Sequence, residues 1–347
     1  MDHATPPCPP YRLFVGIDIA AVTATVAWMP PGGTPSRPIT IDQTPRGFAG
    51  LQQRLLAHGH APTEILVAME ATGSYWIGLA TNLAEAGFAV SVVNPAQAHH
   101  FAKALLRRGK TDAIDAQTLA QLAALLQPTP WTPPPAIYHE LHQRLVQRAA
   151  LLRMQSQLRN QLHALDQHPV VVASVRERME ALLQTLAAQI KAVEHELKAA
   201  IGQDDAWAAA AARVQTIPGG GFLTALWLLV ATVNCTVCDG PEAVAAYAGL
   251  VPRPDRSGTS VQGRETIGKT GHARLRTAFY LASLSATRYN PVINAFYQRL
   301  RAAGKPPKAA RCAAARTVLV IAWAVATKGQ PFDPGYQVEP AVIAAAA

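Results

Sequence analysis

Short β-forming runs alternate with helical patterns over the first 126 residues, and this alternation restricts the possible folds more than any other feature of the sequence. The runs are rich in β-branched and apolar residues and are bounded by turn-forming residues, which is typical of strands. The predicted strands are residues 11–19, 22–29, 37–41, 65–69 and 89–93. The predicted helices are residues 48–56, 77–86 and a longer run from Thr111. The order βββαβαβα predicts a mixed sheet with helices on its faces.

Two acidic residues lie on these predicted strands. Asp18 is inside the first strand, where an acid among apolar residues is costly unless it is paired or holds a cation. Glu70 follows the run 65–69, at the C-terminal end of a central strand, where α/β sheets place their sites. Taken singly, Asp18 could be a hydrogen-bonded turn residue and Glu70 a surface residue.

A second acidic pair, Asp112 and Asp115, begins the helix predicted from Thr111. Residues three apart lie on one face of a helix, so both carboxylates point the same way. Acids in a first turn also complement the helix dipole, and Thr111 is a good N-cap. Helix capping alone is therefore the better explanation of this pair when the rest of the chain is left aside.

Together, Asp18, Glu70, Asp112 and Asp115 resemble the acidic constellation of the ribonuclease-H-like fold. Mg²⁺ prefers hard oxygen ligands, and two such ions roughly 3.5–4 Å apart can activate the attacking oxygen and stabilise the leaving one in a phosphodiester reaction. We therefore predict a site for Mg²⁺ (or Mn²⁺) at these four acids. Three basic residues that precede the pair are then candidates for binding a nucleic-acid backbone. They are Arg107, Arg108 and Lys110.

Basic residues are concentrated in the C-terminal part of the chain. The whole sequence has 31 Lys+Arg against 22 Asp+Glu, but residues 241–330 hold 14 basic residues against three acids. This distribution predicts a nucleic-acid surface. The candidate residues are Arg253, Arg256, Arg264, Lys269, His272, Arg274 and Arg276.

Small hydroxyl side chains are interleaved with these cations. They suit either phosphate binding or a nucleophile whose transition-state charge is neutralised by neighbouring cations. Chemistry alone does not distinguish Ser257 from the other candidates, which are Thr259, Ser260, Thr266 and Thr270. Upstream, Gly219-Gly220-Gly221 precedes an apolar helix, and this turn could either hold a DNA phosphate or allow tight packing.

The middle of the chain predicts a linker and two long helices. Pro128–Pro135 holds five prolines and suits a stiff linker. Leucines at steps of three and four residues over 141–165, and a similar pattern over 175–201, predict an antiparallel helical hairpin or coiled coil. Either an ordinary packed pair or an oligomerising arm fits this pattern.

Few features point to disulfides, zinc or a membrane. Four cysteines in 347 residues do not form a disulfide framework, and Cys235 and Cys238 lack the second pair of ligands that a zinc site needs. The N-terminus has no signal-peptide pattern. The apolar stretches 222–233 and 318–326 are too short to span a bilayer, and 318–326 predicts a core helix. We expect a cytosolic protein with no membrane partner.

Several motifs in order and spacing resemble the DEDD transposases of the "one-ten" insertion-sequence family, over residues 14–333. One departure is Gly221, where family members often carry a larger residue. The motifs are Gly16-Ile-Asp18, Met69-Glu70-Ala-Thr-Gly73, Asn94-Pro95, Lys110-Thr-Asp112-Ala-Ile-Asp115-Ala, Ile217-Pro-Gly219, Ala248-Gly-Leu-Val-Pro252, Ser257-Gly258 and Lys269-Thr-Gly-His272.

The resemblance implies a domain organisation. Residues 1–127 would form an α/β RuvC-like (ribonuclease-H-like) domain, 128–203 the linker and an α-helical coiled-coil connector, and 204–335 a mainly α-helical transposase domain, followed by a tail, 336–347.

It also implies an activity. The acids at 18, 70, 112 and 115 would bind metal, and Ser257 would be the nucleophile that becomes joined to a DNA phosphate. The site would be composite between subunits, in a tetramer built from dimers. A bridge RNA would pair with donor and target DNA, in the bacterial cytoplasm at the nucleoid.

Three other functions are compatible with parts of the sequence. A RuvC-type endonuclease would use the same acids to activate water, with Ser257 as a loop residue. An actin-like phosphotransferase shares the strand order, but residues 19–24 lack its phosphate turn. A nucleic-acid-binding scaffold with a decayed site would not need all four acids and the serine.

Overall fold

The chain divides into two compact units, Met1–Pro133 and Pro134–Ala347. The computed structural model describes residues 11–71, 73–106, 111–253, 256–257, 261–262, 266–268 and 270–335.

The first unit is built on a five-stranded sheet of order β3-β2-β1-β4-β5. β1 pairs antiparallel with β2 and parallel with β4, and β4 pairs parallel with β5. All five predicted strands are confirmed, with bounds that shift by a few residues. They are β1 (Leu13–Ile19), β2 (Thr23–Met29), β3 (Ile39–Asp42), β4 (Ile65–Glu70) and β5 (Ala89–Val93).

Helices cover the sheet as the strand pattern predicts, with one helix more than expected. The helices are α1 (Pro45–Leu56), α2 (Trp76–Glu85), α3 (Pro95–Ala104) and α4 (Asp112–Leu126). Helix α3 is not among the helices predicted from the sequence. Its local signal is at its start, where Asn94 accepts a hydrogen bond from the Ala96 N–H at 2.9 Å and Pro95 occupies the first turn.

The two faces of the sheet form two separate cores. Successive strand residues point to opposite faces, which separates the odd-numbered from the even-numbered residues of β1. Leu13, Val15 and Ile17 pack with residues of α1 and α2. Phe14 packs with Leu119 and other residues of α4. The unit is therefore a three-layer α/β/α sandwich, and β1 lies in its middle.

The start of the predicted proline-rich linker lies along β5. Ser91 donates through Oγ to the Pro128 carbonyl at 2.6 Å, and the Trp131 N–H donates to the Val90 carbonyl at 2.6 Å. The Trp131 ring packs edge-on against Trp76 at 5.3 Å between centroids. Residues 128–131 thus belong to the first unit by their contacts.

The second unit begins with the helical pair that the leucine spacing predicts, α5 (Ala136–Leu165) and α6 (Ala173–Ile201). Arg144 pairs with Glu196, and Arg148 pairs with Glu194. Between these two ion pairs the residue number rises along α5 and falls along α6. The two helices are therefore antiparallel.

The remaining helices of the second unit share one core with the base of this pair. α12 packs against α7, α8, α9, α10 and α11. These helices are α7 (Asp205–Gln215), α8 (Phe222–Ala231), α9 (Pro241–Tyr247), α10 (Ala273–Tyr289), α11 (Pro291–Ala302) and α12 (Pro307–Lys328).

Helix α12 contains the predicted core run 318–326 but extends well beyond it. Val318, Leu319 and Ala322 are fully buried, which confirms a core helix. At 22 residues α12 is long and apolar enough to cross a membrane by length and composition, contrary to the expectation from the shorter run. Core helices of globular proteins pass the same test, so this property is weak support for a membrane span.

Four strands of two residues each lie where the sequence predicts loops. β6 pairs antiparallel with β9, and β7 pairs antiparallel with β8. A strand of two residues has no hydrophobic alternation that a sequence pattern could detect. The strands are β6 (Pro252–Arg253), β7 (Arg256–Ser257), β8 (Val261–Gln262) and β9 (Thr266–Ile267).

Candidate functional site

Asp18 and Glu70 occupy equivalent positions on neighbouring parallel strands. Ile17 of β1 pairs with Met69 of β4, so Asp18 and Glu70 are each the next residue along their strands. Both follow the alternation that places even-numbered residues on the face covered by α4. The sheet therefore presents two carboxylates side by side where β1 and β4 end.

Helix α4 lies so close to β1 that no side chain fits between them. A Cβ on Gly16 would overlap the backbone of Ala116 and Ala120 and would come within 2.7 Å of the Leu119 carbonyl carbon. Only glycine permits this approach. Gly16 belongs to one of the sequence motifs, but this packing role is not among its predicted roles; an isolated glycine inside a strand is the signal for it.

The first turn of α4 carries the second acidic pair, and it is capped as predicted. Thr111 Oγ1 accepts a hydrogen bond from the Ile114 N–H at 3.3 Å. Asp112 is exposed and Asp115 is partly buried. The capping interpretation is thus correct for Thr111, and it leaves both carboxylates near the end of β1.

The four acids interact electrostatically. The pKa of Asp18 is raised from 3.8 to about 6, first by burial and then by the negative charges of Asp112, Asp115 and Glu70. A backbone hydrogen bond at Ile19 opposes this change. Like charges raise a carboxyl pKa only when they are near. The structure therefore places Asp112, Asp115 and Glu70 near enough to Asp18 to raise its pKa.

The acids do not enclose a single ion-sized point. Across the described ranges, no three His, Cys, Asp or Glu side chains converge closely enough to hold a metal ion. Their chemistry nevertheless fits a divalent cation, because carboxylate oxygens are hard ligands. A cation between them would also relieve the repulsion that raises the pKa of Asp18.

Several predicted nucleic-acid contacts fall where the structure gives no description. For Arg253, Arg256 and Ser257 the strand pairing is described, but their side chains lie outside the described part of the chain. The predicted residues that lie wholly outside the described residues are Arg107, Arg108, Lys110, Arg264 and Lys269.

His272 caps helix α10. Its Nδ1 accepts a hydrogen bond from the Leu275 N–H at 3.1 Å, which requires an unprotonated Nδ1. The pKa of His272 is lowered, first by burial and then by the nearby His142. The Tyr247 ring lies 5.6 Å from the His272 ring, and Tyr138 stacks on His142. Sequence reasoning missed these aromatic neighbours because they come from α5 and α9, far away along the chain.

Arg274 and Arg276 follow on the first turn of α10. Arg276 donates through Nη1 to the carbonyl oxygens of Thr270 at 3.0 Å and Ala248 at 3.3 Å. This nitrogen therefore binds the protein's own backbone. Arg274 is partly exposed.

The glycine turn before α8 is required for packing at two of its three positions. A Cβ on Gly219 would come within 2.8 Å of Ala286, and a Cβ on Gly220 would overlap the Val214 carbonyl. Gly221 has open space around it. Tight packing thus accounts for Gly219 and Gly220.

The Cys235/Cys238 pair shows no sign of reactivity. Burial raises the pKa of the Cys235 thiol to about 11, which keeps it protonated at neutral pH. Cys238 is buried in the core of the second unit.

Comparison with known proteins identifies the class of this arrangement. Residues 15–168, which carry the four acids, match a family model of DEDD transposases. Residues 211–298, which include Ser257, match a model described as "Transposase IS116/IS110/IS902 family". The α/β fold of the first unit and the matched regions thus fit a DEDD transposase, a class whose domains generally use divalent metals.

Full-length relatives give the family. A pilin gene-inverting protein of Moraxella bovis is 31% identical over 324 residues, covering 93% of this chain and 98% of the relative. The corresponding protein of Moraxella lacunata is 30% identical over the same length. An uncharacterized 43.6 kDa protein of insertion element IS110 from Streptomyces coelicolor is 30% identical over 173 residues, covering 49% of this chain and 42% of the relative. The chain belongs to the IS110 family of transposases, which act on DNA.

Proposed function

We propose that this transposase cleaves and rejoins donor and target DNA through a covalent phosphoserine at Ser257, aided by Mg²⁺ at Asp18, Glu70, Asp112 and Asp115. The observation that carries the metal part of the proposal is the placement of Asp18 and Glu70 where neighbouring parallel strands end, beside the close contact of α4 with Gly16. The raised pKa of Asp18, to which the other three acids contribute, supports a cation there, because a bound cation would neutralise their repulsion.

The acids and the serine have separate roles in the proposed reaction. The carboxylates would hold the cation, which would supply Lewis-acid polarisation of the scissile phosphate. The Ser257 hydroxyl attacks the phosphorus, so that an Oγ–P bond replaces the P–O bond to the departing strand. The departing oxygen takes up a proton as the serine loses its own. The new phosphodiester conserves the bond energy, so the strand can be rejoined without ATP.

Two further parts of the proposal rest on the family resemblance. A bridge RNA would select donor and target, and dimers would assemble into a tetramer whose site combines the acids of one subunit with the serine of another. The basic residues of the second unit support a nucleic-acid partner. Two relatives are named for inverting a pilin gene, and inversion of a DNA segment requires both cutting and rejoining. The site of action would be the bacterial cytoplasm.

The test is capture of the covalent intermediate. Wild-type protein with Mg²⁺, co-purified RNA and labelled DNA should form protein–DNA adducts that survive denaturation. Ser257→Ala should bind RNA and DNA but form none, whereas Ser260→Ala, three residues away in the same segment, should form them. Adducts in Ser257→Ala would refute the serine assignment, activity in excess EDTA would refute the metal role, and absence of co-purified RNA would refute the guided mechanism.

A metal-dependent endonuclease is the second candidate, because a divalent cation held by the same acids would activate water without the serine. It predicts products with free 5′-phosphates and no attached protein, and equal activity in wild type and Ser257→Ala. The adduct experiment therefore separates the two functions directly.

A further inference from the structure

The segment that carries Ser257 begins and ends at one backbone crossing. Gly249, after α9, has a φ of +70°, and Gly271, before α10, has a φ of +97°. A Cβ on Gly271 would lie 2.7 Å from the Gly249 nitrogen and 2.9 Å from the Tyr247 carbonyl oxygen. The two chain segments therefore touch through their backbones, and the left-handed conformation at both glycines permits this approach.

Hydrogen bonds fasten this crossing from the α10 side. The His272 N–H donates to the Tyr247 carbonyl at 2.7 Å. Arg276 Nη1 donates to the Ala248 carbonyl on one segment and to the Thr270 carbonyl on the other. One guanidinium nitrogen therefore joins the two ends of the segment that lies between residues 249 and 271.

From the crossing, paired backbone leads to Ser257. The pair β6–β9 lies nearer the crossing along the chain, and the pair β7–β8 lies beyond it. Ser257 pairs with Val261 in the outer of these ladders. The ladders are only two residues long, so the direction in which they leave the helical core depends on how firmly their base is held.

We propose that Arg276 is a positioning residue, which fixes the base of the Ser257 segment by holding the Ala248 and Thr270 carbonyls together. The proposal rests on the proposed role of Ser257 as nucleophile. It replaces the sequence-based expectation that Arg276 binds a nucleic-acid phosphate. The two roles need different chemistry, since a carbonyl requires only a donor, whereas a phosphate contact depends on the positive charge.

The test compares three substitutions in the full-length protein with its RNA and DNA. Arg276→Ala removes charge and donor, Arg276→Gln keeps an N–H donor without charge, and Arg276→Lys keeps the charge. At saturating DNA we expect adduct formation to slow by on the order of 100-fold in Arg276→Ala, as for other small displacements of a reacting group. Arg276→Gln should recover part of the rate. The salt dependence of DNA affinity should remain that of wild type, whereas loss of a phosphate contact would reduce the log–log slope by about 1.

A second pair of variants changes glycines at the two ends of α9 and leaves Arg276 in place. A Cβ on Gly249 would overlap the Thr270 carbonyl and Arg276 Nη1, while a Cβ on Gly240, at the other end of α9, meets nothing within 4 Å. Gly249→Ala should slow adduct formation, and Gly240→Ala should match wild type. Melting temperatures of all variants check that the helical core is folded.

Two results would overturn the positioning role. One is a wild-type rate of adduct formation in Arg276→Ala, whatever the rate of Gly249→Ala. The other is full activity in Arg276→Lys while Arg276→Gln is as slow as Arg276→Ala, together with a shallower salt dependence of DNA affinity in the two slow variants. That result would assign Arg276 to a phosphate contact. If wild-type protein itself forms no adduct, the proposed function fails, and the positioning role fails with it. If wild-type protein forms adducts, the Arg276 variants test the positioning role alone.

Discussion

Gly16 of β1 lies directly against the backbone of Ala116 in α4, with no space for a side chain between strand and helix. This contact fixes the height of α4 above the sheet. Asp18 is two residues beyond Gly16, and Asp115 immediately precedes Ala116. The close approach therefore determines how near the acids of the helix come to the acids of the strands.

Gly16→Ala should separate the helix from the sheet. The added methyl would overlap the backbone of α4, and overpacking of this kind destabilises by about 1–3 kcal/mol. We expect a lower urea midpoint and loss of recombination. Gly50→Ala is the matched control, because a Cβ there meets nothing within 4 Å and alanine in a helix stabilises by about 0.5–1 kcal/mol. Wild-type stability in Gly16→Ala would contradict the packing role.

Asp18→Asn should stabilise the metal-free protein at neutral pH. The folded pKa of about 6 is above the usual 3.8, so the folded state binds the proton more tightly than the unfolded state. Stability of the wild type relative to Asp18→Asn therefore falls as pH rises from about 4 to about 6, and is constant above. We expect a gain of about 1–2 kcal/mol for the variant at pH 7.5, less than the full change implies because Asp18 is partly solvated.

Urea unfolding from pH 3.5 to 8 measures this difference, and a pH-independent difference would refute the coupling.

Mg²⁺ supplies a second measurement on the same pair of proteins. Added Mg²⁺ should raise the melting temperature of the wild type, since binding to the folded state alone stabilises it. The rise should be smaller in Asp18→Asn, and an equal rise in both proteins would show that Mg²⁺ binds elsewhere.

The sequence predicts the strands and the acidic residues better than it predicts the distance between α4 and the sheet. The strands and the position of Asp18 and Glu70 follow from short apolar runs and from the rule that parallel strands end at one edge. The height of α4 depends on the tertiary contact of Gly16, which only the folded chain shows. For the same reason the sequence could select the acids but not the arrangement of their oxygens, which within the described ranges do not meet at one ion-sized point.

In the second unit, long helices were predictable and the contacts of short elements were not. The leucine spacing predicts α5 and α6, because many residues repeat one pattern. Strands β6 to β9 are too short to have a pattern. Arg276 was expected to contact nucleic acid because it is a cation in a basic segment, but its carbonyl partners lie 28 and six residues away and are set by the backbone crossing.

His272 should make stability depend on pH below about 6.5. Burial, His142, Arg274 and Arg276 lower its pKa, so the folded state binds its proton less tightly than the unfolded state. Tyr247 contributes a ring contact. Stability is therefore complete above the ordinary value of 6.5 and is lost as pH falls below it. His272→Asn keeps an N-cap acceptor without a titrating ring.

Urea unfolding of wild type and His272→Asn at pH 5 and pH 7.5 separates this effect from those of other groups. The wild type should lose more stability on acidification than the variant. Identical losses in the two proteins would show that the pKa of His272 is the same in the folded and unfolded states, which would refute the effect.

Arg148 and Glu194 should show measurable coupling across the helical pair. Arg148 Nη2 lies 2.6 Å from Glu194 Oε1, and Arg148 Nε donates to the same oxygen at 2.7 Å. Because both side chains are partly exposed, a double-mutant cycle with alanine should give about 0.2–1 kcal/mol. Arg153→Ala, at an exposed position further along α5, should change stability by less than about 0.5 kcal/mol. A coupling energy of zero, with Arg148→Ala no more destabilising than Arg153→Ala, would contradict the register that places residue 148 beside residue 194.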